Sequence, residues 1–242
     1  MTLMRFSLLF LSICLLFPLV SGYTDASFTV NFQLSPEKVH VVEKITFLLD
    51  NDVEKSAFSD SLRLGRSTIS DWRAYSRYFD YHAFGPLVEV NSTRIVAKQD
   101  FSQSHAPAVV SVEYDVDPSL LLKTVKSSRV TEYAVNTSLL NLNKLRSGEI
   151  VVGSIDEFTF EIPEGTSFSQ TLPEPQSRGN NFVSFKGPLT SKFEISFIEE
   201  KTLSEEVNLF FVSLFSNAAN LIPLLLVLAL LLFIWFKLVS DN

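Results

Sequence analysis

Val207 to Phe236 runs for thirty residues without a charged side chain, and a shorter apolar run, Phe6 to Val20, stands near the other end of the chain. About 20 apolar residues cross a bilayer as a helix, so the first run is long enough to span and the second is not. Arg5 precedes the short run, Pro18 interrupts it, and Val20-Ser21-Gly22 places small or β-branched residues where a signal peptidase cuts. Residues 1–22 therefore read as a secretory signal removed before Tyr23. Cys14 does not make it a lipoprotein signal, because Ile13 is too large for the position before a lipidated cysteine and the apolar run continues past it.

Residues 218–239 read as a transmembrane helix of about 33 Å, matched to a hydrocarbon core of about 30 Å. Pro223 falls in its first turns, where a missing N–H costs little. Trp235 and Lys237 mark the cytoplasmic exit, residues 240–242 form a cytoplasmic tail, and Glu199, Glu200, Glu205 and Glu206 lie on the far side. The expected location is the cell membrane, single pass, with the N-terminal domain extracytoplasmic. Residues 203–217 read as an amphipathic juxtamembrane helix, with Leu203, Val207, Phe210, Phe211, Leu214 and Phe215 at helical spacing. Ser213, Asn217 and Asn220 form a polar stripe, the candidate contact for a membrane-protein partner. The same residues also fit an interfacial collar with no partner.

Between these segments lies an acidic domain. From Tyr23 to Glu206 only Arg5, Lys237 and Asp241 are left out, so 18 cations face 26 acids, a net charge of −8. That sign disfavours nucleic acid and anionic headgroups. Cys14 is the one cysteine and leaves with the signal, so the exported chain has no disulfide and must be held by ordinary burial, with 22 phenylalanines to supply it. Asn91 and Asn136 open N-x-S/T sequons and are glycosylation candidates.

Residues 23–202 read as mainly β, an antiparallel β-sandwich of about eight to ten short strands, as one composite or two packed sandwiches divided near residue 118. Ser27 to Leu34 alternates, Ser35-Pro36-Glu37-Lys38 turns, and Val39 to Leu49 continues, which predicts a hairpin. Asp50-Asn51-Asp52 reads as a turn cluster followed by a strand around Ser56 to Leu64. Further strands are expected at 87–90, 94–98, 108–116, 129–135, 149–152, 157–162, 182–185 and 192–199. Two helical insertions are expected, Ser70 to Tyr78 and Ser138 to Leu145.

The stretch Phe158-Thr159-Phe160-Glu161-Ile162-Pro163-Glu164-Gly165, with Leu172-Pro173-Glu174-Pro175, Gly187-Pro188 and Phe193 to Phe197, resembles the closing strands of β-rich ectodomains in uncharacterised prokaryotic, especially archaeal, membrane-anchored proteins. The resemblance covers about a quarter of the chain and implies architecture, with no activity or site to carry over.

No motif for chemistry stands out. His40, His82 and His105 are isolated, no G-x-S-x-G elbow exposes a serine, and Asp50, Asp52, Asp115 and Asp117 do not continue into a calcium loop. No cofactor, metal or catalytic residue is assigned. The most concentrated feature is Arg66 to Phe84, where aromatics interleave with arginines. If Ser70 to Tyr78 is helical, Trp72, Tyr75 and Phe79 share one face and Arg73 and Arg77 another, with Tyr78 beside them. That surface could grip a peptide or stack on a sugar; the simpler reading is an amphipathic crossover helix that caps an open end of the sandwich with its aromatics while its arginines pair with acidic neighbours. The expected function is a non-enzymatic surface protein that binds a protein or glycan partner. The alternatives are an accessory subunit of a membrane complex and a carbohydrate-active or other hydrolytic enzyme.

Overall fold

The computed structural model describes residues 24–73, 75–83, 89–99, 106–216 and 218–240. The signal read at 1–22 and Asn217 of the polar stripe lie outside them.

Strong alternation builds the first hairpin. β1 (Thr24–Gln33) and β2 (Val39–Leu49) pair antiparallel, with Phe28 opposite Ile45 and Phe32 opposite Val41. Phe28, Val30 and Phe32 point inward from β1, and Val39, Val41, Ile45, Phe47 and Leu49 from β2, all nearly fully buried. Each such side chain contributes roughly 1.5–3 kcal/mol on leaving water. The second partner of β2 is β4 (Ala106–Val116), which is edged by β3 (Val90–Gln99).

On its other side β1 pairs with β8 (Asp156–Glu161), and this pairing is parallel, setting Phe28 opposite Asp156. β11 (Phe182–Lys186) and the two-residue β10 (Ser177–Arg178) complete a sheet of seven in the order β10-β11-β8-β1-β2-β4-β3. A second sheet runs β5 (Leu121–Val125), β6 (Val130–Val135), β13 (Glu194–Glu200), β9 (Thr166–Leu172), and β7 (Ile150–Val152) pairs with β12 (Leu189–Ser191). The chain is thus mainly β with several antiparallel sheets. The departure from a purely antiparallel sandwich is the β1–β8 pair, whose crossover contains everything between the two strands.

One buried cluster joins these parts. Phe32 stacks on Phe160 at 4.8 Å, Phe160 meets Phe185 at 6.1 Å, and Phe185 meets Phe193 edge-on at 4.9 Å, just before β13. Pro118 opens a 3-10 turn, and Leu120 within that turn is buried in the same cluster.

Two local expectations are corrected. Ser56 to Leu64 is not a strand; it belongs to helix α1 (Asp52–Arg63). The acidic cluster before it is a helix cap: Asn51 Oδ1 accepts from Glu54 N at 2.9 Å, while Glu54 Oε2 accepts from Asp50 N at 3.0 Å. Phe58 and Ser61 then fall on the buried side. Ser138 to Leu145 is not a helix either. A 3-10 turn covers Thr137–Leu139 only, because the following backbone groups bond outward: Leu145 N donates to Glu149 O and Val151 N to Asn143 O, both at 2.8 Å.

After β13 come two helices, α3 (Leu203–Ser216) and α4 (Ala218–Ser240). Glu206 on α3 accepts from Ser128 Oγ at 2.8 Å and pairs with Arg129 at 3.7 Å in the β5–β6 turn. α4 is 23 residues long. Taken over the described residues, no helix is long and apolar enough to cross a membrane. The side chains at 218–221, 224, 225, 228 and 237–240 lie outside that description.

Close backbone approach limits one position. A Cβ on Gly187 would sit 1.7 Å from the carbonyl oxygen of Gly153, and the obstacle is main chain, which cannot swing aside. Gly187→Ala is expected to lower unfolding stability by about 1–3 kcal/mol, the usual cost of overpacking. Denaturant titration of the purified chain measures it.

Candidate functional site

The segment Arg66 to Ala83 crosses the inner face of the seven-stranded sheet. Its helix α2 (Ile69–Trp72) spans one turn, not Ser70 to Tyr78. Thr68 and Asp71 close a capping box at its start. Beyond Arg73 the chain turns back, because the Arg73 side chain donates to Phe79 O at 3.2 Å and Asp80 Oδ1 at 3.0 Å. The aromatic face is consequently spent inside. Trp72 and Phe79 are buried against each other and against Phe58 and Phe47. Tyr75 is half-buried beside Trp72, with its hydroxyl bonded to Ser61 Oγ.

Tyr78, also half-buried, stacks on Phe28 at 4.6 Å, and the Arg77 guanidinium covers its ring at 5.2 Å. Both exposed cations, Arg73 and Arg77, therefore already have protein neighbours. The six expected partner-binding residues are brought together in one segment, but they form no open aromatic surface.

What sequence reading missed lies beneath this segment. Glu43 occupies an inward position of β2, between Val41 and Ile45, and is 1% exposed. Its Oε1 accepts from the Tyr114 hydroxyl and from His82 N at 3.0 Å, and its Oε2 lies 2.8 Å from His82 Nδ1. The Tyr114 oxygen in turn accepts from Ala83 N at 3.1 Å. Register explains the meeting: Tyr114 stands opposite Val41 and Val112 opposite Glu43, so carboxylate and phenol are diagonal neighbours on one face. Burial resists charging His82, yet the Glu43 carboxylate and its hydrogen bond outweigh that cost and raise the imidazole pKa. Burial, followed by the negative charge of Glu43, pushes the Tyr114 phenol well above its ordinary value, so it remains a donor. An acid in the inward register of an otherwise apolar strand was the available signal.

Beside this cluster opens a cleft of about 450 Å³. Its walls come from the crossing segment (Arg77, Tyr78, Asp80, His82), from Asn141 to Asn143, and from the start of β8. Phe28 and Phe158 form its apolar side. Asp156 is the first inward residue of β8, and its Oδ2 closes the preceding turn by accepting from Gly153 N at 2.7 Å. Asp156 is 7% exposed, and its Oδ1 is buried without a hydrogen-bond partner among the described residues. Such an atom forfeits about 1–3 kcal/mol unless a donor reaches it. Tyr78 borders it: burial first, then the Asp156 charge and the approach of the phenol hydroxyl to that carboxylate, raise the phenol's pKa, while the Arg77 hydrogen bond works in the opposite direction.

Other candidates lie apart. Asn91 is exposed on β3, beside the irregular Ser92 with φ 56°. Asn136 is half-buried, and its Oδ1 accepts from Ser138 Oγ at 2.6 Å. Ser213 is on α3 and Asn220 on α4, with side chains outside the description. His40 lies 2.7 Å from Asp115, which Lys38 also approaches at 3.0 Å. Among the described residues no three metal-ligating side chains converge.

The Glu43–His82 pair predicts a pH dependence. A folded-state pKa above the value of about 6.5 for a free imidazole gives stabilisation that is complete below about pH 6.5 and lost as pH rises through the raised pKa. Thermal melts of the wild type should therefore fall across that window, and those of His82→Gln should lack this fall. Tyr114→Phe strips Glu43 of one donor and Ala83 N of its acceptor, and should cost about 1.5–3 kcal/mol in denaturant unfolding.

Comparison with known proteins finds no matching family model, and no match among curated proteins. Among solved structures, the chain is similar to the folded domain of Mycobacterium tuberculosis LppM at 10% identity and a TM-score of 0.29, covering 76% of this chain and 94% of that one. It is also similar to yeast LTA4 hydrolase in complex with bestatin at 11% identity and a TM-score of 0.25, covering 73% of this chain and 28% of that one. This chain thus spans under a third of the length of the yeast protein, and at these TM-scores neither likeness bears on the cleft.

Proposed function

We propose that this chain is a single-pass membrane-anchored surface protein whose β-rich ectodomain captures a protein or glycan partner outside the cell. Residues 1–22 direct export, 218–239 span the bilayer, and 203–217 lie against its outer surface. The observation that carries the reading is the character of α4. Among its described side chains Leu226, Leu230, Phe233 and Phe236 are each more than 60% exposed, a continuous apolar surface that water does not tolerate and a bilayer does. α3 adds exposed Leu203, Phe211 and Phe215 next to it, as an interfacial segment does. Anchoring raises the local concentration of the ectodomain near its partners. The cleft beside His82 holds Asp156 Oδ1, one of several buried polar atoms without a hydrogen-bond partner among the described residues.

Alkaline carbonate extraction of cells expressing the full chain tests the anchor. The wild type should stay with the membrane pellet. Leu226→Asp combined with Leu230→Asp, each costing about 2.5–3.5 kcal/mol at a helix centre, should shift the protein to the soluble fraction. A wild-type chain recovered in the supernatant overturns the reading.

A further inference from the structure

The cleft beside Asp156 combines three properties that narrow its ligand. First, its charges pair off: Asp80 is held by Arg73 at 3.0 Å and the Arg77 guanidinium stands within electrostatic reach of Asp156, so its lining has little net sign within a domain of net charge −8. A cation or an anion gains nothing there from the local charge. Second, donors and acceptors alternate. Asp156 Oδ1 is a buried acceptor lacking a donor. With Nδ1 of His82 engaged by Glu43, Nε2 is the ring nitrogen left to the cleft, and Arg77 brings a guanidinium to the rim. Third, the aromatic rings are already engaged, since Tyr78 stacks on Phe28 at 4.6 Å and lies under the Arg77 guanidinium at 5.2 Å, while Phe28 and Phe158 are 1% and 2% exposed. Recognition here works through hydrogen bonding in a polar slot, not through stacking on an open ring.

A hydroxyl group both donates and accepts, carries no charge, and comes in adjacent pairs on a sugar ring. We infer that the cleft lined by Asp156, His82 and Arg77 binds a neutral saccharide, one hydroxyl donating to Asp156 Oδ1 and its neighbours accepting from His82 and Arg77. Its volume of about 450 Å³ lies within the about 300–1,000 Å³ of small-molecule sites and admits a sugar ring or the terminus of an oligosaccharide. Leu142 and Val151 supply apolar contact for the ring's C–H groups. This assignment rests on the reading of the ectodomain as a partner-binding module, and it selects the glycan over the protein.

The test uses the full-length chain in lipid nanodiscs, free of sugar-headed detergent. Its probes are glucose, galactose, mannose, N-acetylglucosamine and their short oligomers, with oligolysine and oligoaspartate peptides as charged controls. A subset of the saccharides should bind, with an affinity nearly independent of salt because no counter-charge is screened. Asp156→Asn preserves an acceptor for Gly153 N and turns an amide N–H₂ toward the cleft, so affinity should drop about tenfold or more while the melting temperature changes little. Should that variant not fold, Arg77→Gln on the exposed rim provides the second measurement, with a several-fold loss expected. The inference is overturned if no saccharide binds, if both variants bind as the wild type does, or if oligolysine binds with steep salt dependence. Chemical cross-linking to protein partners on native membranes separates the two levels. Protein capture without saccharide binding removes the saccharide and leaves the anchored module standing, and saccharide binding by a chain that fails carbonate retention does the reverse.

Discussion

A carboxylate in the middle of an apolar strand is the constraint around which this domain is arranged. Glu43 takes an inward position of β2 where every neighbour of the same parity is aliphatic or aromatic, and an ion left alone there would cost several kcal/mol. Its needs are met from two directions, by Tyr114 on the adjacent strand and by the backbone and ring of His82 from the crossing segment. The second source matters more for shape. It fixes the end of the Arg66 to Ala83 segment against the sheet at one place, since a displaced His82 strands the buried Glu43 carboxylate.

Several other features follow from that attachment. With His82 held, Phe28 contacts its ring at 4.7 Å and Tyr78 stacks on the other part of Phe28, so the segment's last turns are clamped onto β1. Ser76 donates to Asp25 at 3.1 Å near the bulged start of the same strand. The Asn141 backbone N–H reaches His82 O at 2.7 Å, which draws the 141–143 wall into place. The space left between these walls and the beginning of β8 is the cleft. To the polar side chains of the crossing segment and of Asn141 and Asn143 it adds Asp156, the second acid that takes an inward position in the sheet.

Strand alternation made much of the fold legible. The β1–β2 hairpin, β4, β8 and the inward phenylalanines of β8 and β13 follow from parity, because half-buried strands impose it on the sequence. Short edge elements such as β5, with one buried and four exposed residues, impose no such pattern and were not readable. The helix α1 was misread because Phe58 and Leu62 fit either period, and the decisive capping geometry at Asn51 resembles a turn. The aromatic segment was legible in composition and not in direction: whether Trp72 points to solvent or core depends on where Arg73 finds its partner at Asp80. Glu43 and Asp156 were visible as letters, but their inward parity becomes chemically meaningful only once His82 and Gly153 are known to approach. The parallel β1–β8 pairing carries no local signature at all, since it joins residues about 130 positions apart.

The place where the helices leave the domain has a mechanical meaning. α3 follows β13, which lies in the interior of its sheet with β6 on one side and β9 on the other. If α4 is held in a bilayer, as proposed, tension between membrane and bound partner enters the domain along β13. In antiparallel pairs the hydrogen bonds lie across the strand direction, so a pull along β13 loads both ladders together in shear instead of unzipping one bond after another. The Glu206 contacts to Ser128 and Arg129 bring the β5–β6 turn into the same load path. A tether rooted in an edge strand would be held by one ladder, whereas this one distributes force over two before the strand can leave.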